Sequence, residues 1–326
     1  MDFRLTALPV IEVDLAAIDL DDDSYRIARA AESPGLSHSI GHLGILHPPL
    51  VKPSLSHPRR WQIVAGFKRV GACRELGWRF IPVRELPDNL SGLRCAQLAI
   101  ADNALARPLA VMERARAVGL LWPIVANKTL LTEILQMLGM RESQATIEKL
   151  MRLHRQPTQI QQAVEEDRLS LAMALDLSGE KSAEAIALSE LFVFLHLGLN
   201  RQRELLGLLR DISRRDDMSI TELIRANAVR EILNGSESQR PRVVQQVIDH
   251  FKRLRYPMIT TIQDRHQRLI AKLDLPAGVS LRPPPSHEDS TYTLTIQFSD
   301  AQQLKQRYQK LHGIVHHAAI CRLTDT

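Results

Sequence analysis

The stretch WQIVAGFKRVGACRELG, residues 61–77, decides how the first part of this chain folds. Trp61, Gln62, Ile63, Val64 and Ala65 read as a buried strand that ends in glycine at Gly66. From Phe67 onward Val70, Cys73 and Leu76 recur at helical spacing, and Gly77 supplies the C-terminal stop. Lys68 and Arg69 stand where that helix begins. First-turn N–H groups, the positive helix end and two basic side chains thus converge on one point, which suits an anion. The spacing is neither GxGxxG nor a Walker A sequence, and taken alone the segment reads more simply as a capped helix with solvated cations.

Working outward, VIEVDLAAIDL at 10–20 alternates apolar and acidic positions before the run Asp21, Asp22, Asp23, which predicts a short strand and a turn. A helix is expected over 37–46, with Gly44 placed to end it in a left-handed conformation, and a loop with Pro48 and Pro49 after it. Leu50 and Val51 begin a second extended piece, and FIPVREL at 80–86 a further strand. The first hundred residues are therefore read as mixed α and β. Beyond Leu93 the spacing predicts helices over 93–105, 111–126, 129–140, 142–154 and 157–177, then a second helical block over 182–234 with turns at Gly198 and 214–218. GSESQRP at 235–241 is the linker candidate. A long helix kinked near Pro257 follows over 243–272, then a short strand ended by prolines 283–285, a strand at 292–298, and a helix over 300–312 capped near Ser299 and Asp300.

Composition sets the outer limits. The chain has 326 residues, which implies two or three domains with a buried core in each. Its net charge of +5 suits a polyanionic partner without requiring one. Hydrophobic residues at 44% exclude wholesale disorder, and aromatics at 4% fit a mostly helical chain. With no apolar run near the roughly 18 residues of a membrane span, a soluble, cytoplasmic protein is expected. Cys73, Cys95 and Cys321 are too dispersed for a disulfide framework or a CxxC metal site.

Four boxes in order resemble the ParB partition protein family, whose amino-terminal domain shares its fold with sulfiredoxin: SIGHLGILHPPLV at 39–51, GFKRVGA at 66–72, ADNALARPLAVMERA at 101–115 and TEILQMLGMRESQATIEKLMRLHRQP at 132–157. The resemblance implies an α+β fold in which a ParB-like nucleotide-binding domain (1–115) precedes an all-helical helix-turn-helix domain (116–180). A helical block (181–235) and a small α+β tail (243–326) complete the expected layout, the tail as a possible dimerisation domain. It also implies CTP with Mg²⁺, with Gly44 and Pro48 approaching the nucleotide and Gly66, Lys68 and Arg69 taking its phosphates. The family's Glu-Asn pair falls on Asp102 and Asn103, a carboxylate to act on water and an amide for the metal. The family's acidic residue is Phe67 here, one arginine is Lys68, and the Gln-Arg pair falls on Leu105 and Ala106, with Arg107 displaced by about 100° around a helix. At most a slow CTPase is expected.

In the last box Leu130, Leu131, Ile134, Leu135 and Leu138 form an apolar stripe, Gly139 makes a turn, and Ile147, Leu150 and Leu153 bury the next helix. This is helix-turn-helix spacing. Arg141, Ser143, Gln144, Thr146 and Lys149 would face duplex DNA, amide and hydroxyl groups toward base edges and cations toward phosphates. Glu142 either caps the helix or accepts from a cytosine amine, and Arg152, His154 and Arg155 form a basic edge or a solvated helix end. The partners expected are DNA, a second copy of the chain and a partition ATPase, with the protein on the nucleoid.

His316, His317 and Cys321 lack the spacing of a metal site. His47 precedes Pro48 where a polar contact to nucleotide is feasible, and the arginines of 201–215 read as a solvated helix face. Two competing functions share the fold: a nucleotide-dependent free-serine kinase, against which the helix-turn-helix argues, and a scaffold whose nucleotide site has decayed. A transcription regulator from the same parts stands beside partition.

Overall fold

The computed structural model describes residues 8–29, 34–54, 57, 59–125, 127–234, 240–273, 275–282 and 291–315. Most of the proposed linker, the prolines at 283–285 and the His316, His317, Cys321 group lie outside the described residues. The chain divides into two compact units, Met1–Gln202 and Arg203–Thr326, a coarser division than the four segments expected.

The first unit opens on a five-stranded mixed sheet. Its strands are β1 (Val10–Asp14), β2 (Ile18–Asp19), β3 (Leu50–Pro53), β4 (Trp61–Ala65) and β5 (Phe80–Glu85), in the spatial order β1-β5-β3-β4-β2. β1 is antiparallel to β5 and β3 to β4, while β3–β5 and β2–β4 are parallel. The single strand expected over 10–20 is thus two strands on opposite edges of the sheet. The break has a local cause: the Asp14 carboxylate accepts from the Ala16 N–H at 2.9 Å and turns the chain through Leu15–Ala17. Helices α1 (Pro34–Leu43) and α2 (Phe67–Glu75) pack on the sheet over Val51, Ile63, Val70, Cys73, Ile81 and Val83, all buried. Helix α1 begins and ends three residues earlier than its spacing suggested, and Gly44 follows it at φ +75°, the left-handed stop expected there.

Helices α3 (Gly92–Ala104), α4 (Val111–Leu121), α5 (Lys128–Met137), α6 (Gln144–His154), α7 (Thr158–Glu165), α8 (Leu171–Leu177) and α9 (Ser182–Phe194) complete this unit. The helix read over 157–177 is in fact α7 and α8. Asp167 between them takes φ +54°, and Ser170 caps the new helix by accepting from the Met173 N–H at 3.2 Å. Helix α10 (Leu199–Asp216) holds the point at which the two units divide.

In the second unit α11 (Ile220–Arg225), α12 (Asn227–Leu233), α13 (Arg240–Arg255) and α14 (Pro257–Ala271) are followed by β6 (Val279–Arg282), β7 (Thr293–Ile296) and α15 (Ala301–Val315). The long helix is interrupted at Pro257, as its sequence suggested, because proline has no N–H to donate and stands instead at the first position of α14. β6 and β7 pair antiparallel as a two-stranded ribbon whose Leu281 packs with Leu269 and Leu273. The arginines of α10 are not all solvated. Arg215 donates to the carbonyls of Leu254 and Arg255. No helix among the described residues is long and apolar enough to cross a membrane.

Candidate functional site

Strand β4 delivers the chain to Gly66, which takes φ +95° before α2 begins. A Cβ there would lie 3.0 Å from the Cα of Pro49 and 3.1 Å from Nε of Arg69. Glycine is therefore required twice, by its left-handed backbone and by the close approach of the neighbouring loop. No side chain caps the start of α2, where Lys68 and Arg69 stand; the Arg69 N–H donates to the Gly66 carbonyl at 2.9 Å. Both cations line a cleft of about 470 Å³. Gly44, Gly66, Lys68, Arg69, Asp102 and Asn103 all line it. Six of the seven residues expected around a nucleotide are thereby brought together from three stretches of sequence. Pro48 is the exception: its neighbour His47 lines the cleft in its place.

The two cations differ in what they hold. Arg69 donates Nη1–H to the carbonyl oxygen of His47 at 2.6 Å and Nη2–H to both carboxylate oxygens of Asp102 at 2.8 and 2.7 Å. Its guanidinium thus joins the 44–48 loop to α3. Lys68 makes no ion pair with any described residue, although its charge helps hold Glu113 ionised. Burial pushes the Glu113 carboxyl up, but hydrogen bonds from Arg107 and from the Ala110 N–H outweigh that and leave it below the ordinary glutamate range. Arg107 is drawn out of the cleft by this pair, at 2.5 and 2.7 Å. Ala106 lines the wall, and Leu105 is exposed.

Asn103 spends its Nδ2–H on the Ala99 carbonyl at 2.9 Å, which leaves Oδ1 as its free acceptor. Among the described residues no group of three His, Cys, Asp or Glu side chains is arranged to hold a metal ion. A hard cation here would take one carboxylate, Asp102, already paired to Arg69, and one amide oxygen. That donor set fits Mg²⁺ only when phosphate oxygens and water supply most of its shell.

One stretch of the cleft wall escaped the sequence reading. Tyr25, Ile27 and Ala28 line it, from a segment recognisable before folding only as the end of an acidic turn. Tyr25 stands 3.5 Å from Nζ of Lys52, a lysine only 8% exposed on β3. Burial first, with Cys95 and Asp22 beside it, pushes the phenol up to about 12, so Tyr25 stays a hydrogen-bond donor. Phe67, standing where a carboxylate was expected, carries the Arg26 guanidinium 5.4 Å from its ring centre. An aromatic face with a cation over it is a signal that pairing a distant arginine with Phe67 would have been needed to find.

Across the helical part, Gly139 turns the chain at φ +84° between α5 and α6. Leu131, Ile134 and Leu135 are buried from one helix and Ile147, Leu150 and Leu153 from the other, whereas Leu130 is exposed. Arg141, Ser143, Gln144 and Lys149 are exposed and Thr146 half-exposed. Ser143 is the N-cap of α6: its Oγ accepts from the Thr146 N–H at 3.2 Å and lies 2.9 Å from the Thr146 hydroxyl. Gln144 and Lys149 make no side-chain bond to any described residue. Glu142 neither caps α6 nor reaches outward, because it holds Arg114 of α4 at 2.8 Å. Arg152 bonds the Leu175 carbonyl and the Ser178 hydroxyl. Burial first, and then the charges of Arg116, Arg29 and Arg155, push the His154 imidazole below its ordinary value. Of that expected basic edge, Arg155 is the exposed member without such ties.

Residues 10–104, which contain the sheet, both packed helices and α3, match the model of the ParB N-terminal domain. This part of the chain is similar to a ParB N-terminal domain. The chromosome-partitioning protein ParB of Caulobacter vibrioides is 30% identical over 170 residues, 51% of this chain and 53% of that protein. The chain spans about half the length of the curated ParB relatives it matches. Among solved structures, C-terminally truncated ParB from Caulobacter crescentus complexed with CTP-gamma-S is 23% identical, covers 57% of this chain and 99% of that one, and superposes with a TM-score of 0.27. The same ParB complexed to the centromeric parS site is 22% identical over 59% of this chain and 96% of that one, with a TM-score of 0.33. Superpositions this loose carry nothing about ligands. The likeness to ParB rests on the domain match and on the ParB relatives.

Proposed function

We propose that this chain is a ParB-like sequence-specific DNA-binding protein, gated by CTP and acting in partition of a chromosome or plasmid. The observation that carries the reading is the meeting of Gly66, the uncapped start of α2, Lys68 and Arg69 at one end of a cleft inside a domain similar to a ParB N-terminal domain. In this reading the phosphates lie against Gly66 and Lys68, and Arg69 turns from Asp102 toward them as they enter. The apolar wall of Ile27, Ile40 and Ile45 takes the base and sugar. Asp102 and Asn103 would hold Mg²⁺ together with the phosphates, where it would neutralise phosphate charge, and Asp102 would orient water for a slow hydrolysis. The absence of an arginine at Ala106 removes one stabiliser of transferred-phosphate charge, which is why hydrolysis is slow.

The duplex is read by Gln144 and Arg141, with Lys149 on a phosphate, while Ser143 and Thr146 set the start of the helix that presents them. The domains proposed are nucleotide-binding over 1–115, helix-turn-helix over 116–180, a helical block over 181–235, and a dimerising tail over 243–326 whose ribbon leaves an open edge at β7. The chain acts on the nucleoid as a homodimer with a partition ATPase as its partner. One observation favours a second reading, a scaffold with a decayed nucleotide site: Arg69 is already closed on Asp102. Selection from random duplexes with and without CTP tests the first reading. A consensus, an inverted repeat for a dimer, is expected, with its occupancy changed by CTP. Recovery of no consensus would refute DNA reading, and a consensus indifferent to CTP would leave the scaffold.

A further inference from the structure

Arg116 projects from α4 and is only 6% exposed, so its guanidinium has to find partners inside the fold. It finds two that are far apart in sequence. Its Nη1–H donates to the carbonyl oxygen of Ile27 at 3.1 Å, across 89 positions of chain. Its two terminal nitrogens also form a forked pair with Glu165 of α7, at 2.7 and 2.5 Å. Ile27 and its neighbour Ala28 are walls of the cleft, in a stretch with no helix or strand of its own. On the other side α7 packs on α4, and α4 packs on α6, whose His154 ring feels the Arg116 charge. One planar group therefore ties the least regular wall of the cleft to α7, and the helix that carries it, α4, packs on α6, which presents Gln144 and Lys149. Its Nε has no partner, so the present arrangement does not satisfy it fully and a repacked one has something to gain.

We infer that Arg116 is a positioning residue that couples occupancy of the cleft to the DNA-reading face, through Ile27 on one side and Glu165 on the other. The inference rests on the function proposed above. A ligand that moves the 25–28 wall must either break the Ile27 bond or carry Arg116 with it, and with Arg116 goes the fork to α7. Lysine keeps the charge but cannot hold a carbonyl and both carboxylate oxygens at once. Calorimetric CTP affinity, with and without the selected duplex, is the test for the wild-type chain, Arg116→Lys and Glu165→Gln. The wild type should show linkage of about fivefold or more, and both variants less than about twofold, with each ligand alone still bound. Amide exchange in the ligand-free protein is the second readout, and both variants should exchange faster at 25–29 and 158–165 with the rest of the chain unchanged. Glu165→Gln nearly keeps the side-chain shape and serves if Arg116→Lys fails to fold. Folded variants that retain wild-type linkage overturn the coupling. A wild type that binds both ligands independently overturns it while sparing the proposed function, and a wild type that binds neither overturns both.

Discussion

At the Gly66 end of the cleft Arg69 is bonded to His47 and Asp102, whereas on the outer face of α6 Gln144 and Lys149 make no side-chain hydrogen bond or ion pair to a described residue. The two regions would therefore respond to a ligand in different ways. A phosphate must take the Arg69 guanidinium from a carboxylate, exchanging one charge-assisted pair for another, so the net gain is smaller than the new contacts alone suggest. A duplex meets side chains that have only water to lose. The comparison teaches that the cleft residues are already joined in a closed network, which a nucleotide in the proposed function would have to reopen, whereas the outer face of α6 is open for a duplex to cover.

The largest effect should come from breaking the cleft at its backbone. Gly66→Ala forces a side chain into a left-handed position against Pro49 and should destabilise the chain by about 1–3 kcal/mol, read as a lowered denaturation midpoint. An unchanged midpoint would mean that the loop at Pro49 yields without cost. On the open face, Gln144→Ala should relax one base position of the selected site by about 1–3 kcal/mol. Lys149→Ala should weaken all sequences alike and reduce the salt slope by about one. Quantitative binding to site variants at several salt concentrations separates these, and interchange of the two patterns would reverse the proposed roles.

Ser143→Ala sharpens the contrast within that face. Because Ser143 caps α6, its loss should cost about 1 kcal/mol of stability in a thermal melt while the selected consensus is kept. A lost consensus with unchanged stability would make Ser143 a reader of bases instead. The smallest effect is one of pH. Glu113 is held below its ordinary value of 4.5, so its stabilising contribution is complete above that value and is lost as pH falls through the lower value of the folded state. Denaturation of Glu113→Gln should therefore show a smaller loss of stability than the wild type on acidification below about pH 4.5. Equal losses would mean that the pair with Arg107 contributes nothing.

Much of the first unit was legible because the signals there are local. The strand ending at Gly66, the helix after it and the stop at Gly44 follow from apolar spacing and glycine placement, and each stands where the sequence put it within a few residues. The breaks inside apparently continuous segments were not legible. Asp14 turns one strand into two by a side-chain bond to the backbone, and Asp167 splits a helix by taking a left-handed conformation that spacing does not reveal. In the cleft, Gly66, Lys68 and Arg69 could be read because they fall within four positions of one another, and Asp102 and Asn103 because they resemble a family box. The pairings that decide their availability could not. Arg69 with Asp102, Arg107 with Glu113 and Tyr25 with Lys52 join residues whose proximity is produced by the tertiary fold.

The central claim is that a nucleotide, CTP before other triphosphates, is held at Gly66, Lys68 and Arg69. Isothermal titration of CTP, ATP, GTP and UTP with Mg²⁺ into the wild-type chain and Arg69→Ala tests it most directly. The account predicts heat with CTP ahead of the other three and a loss of about 1.5–3 kcal/mol of binding in Arg69→Ala, the value of a charge-assisted hydrogen bond. No heat with any triphosphate, or an affinity indifferent to Arg69, would contradict it.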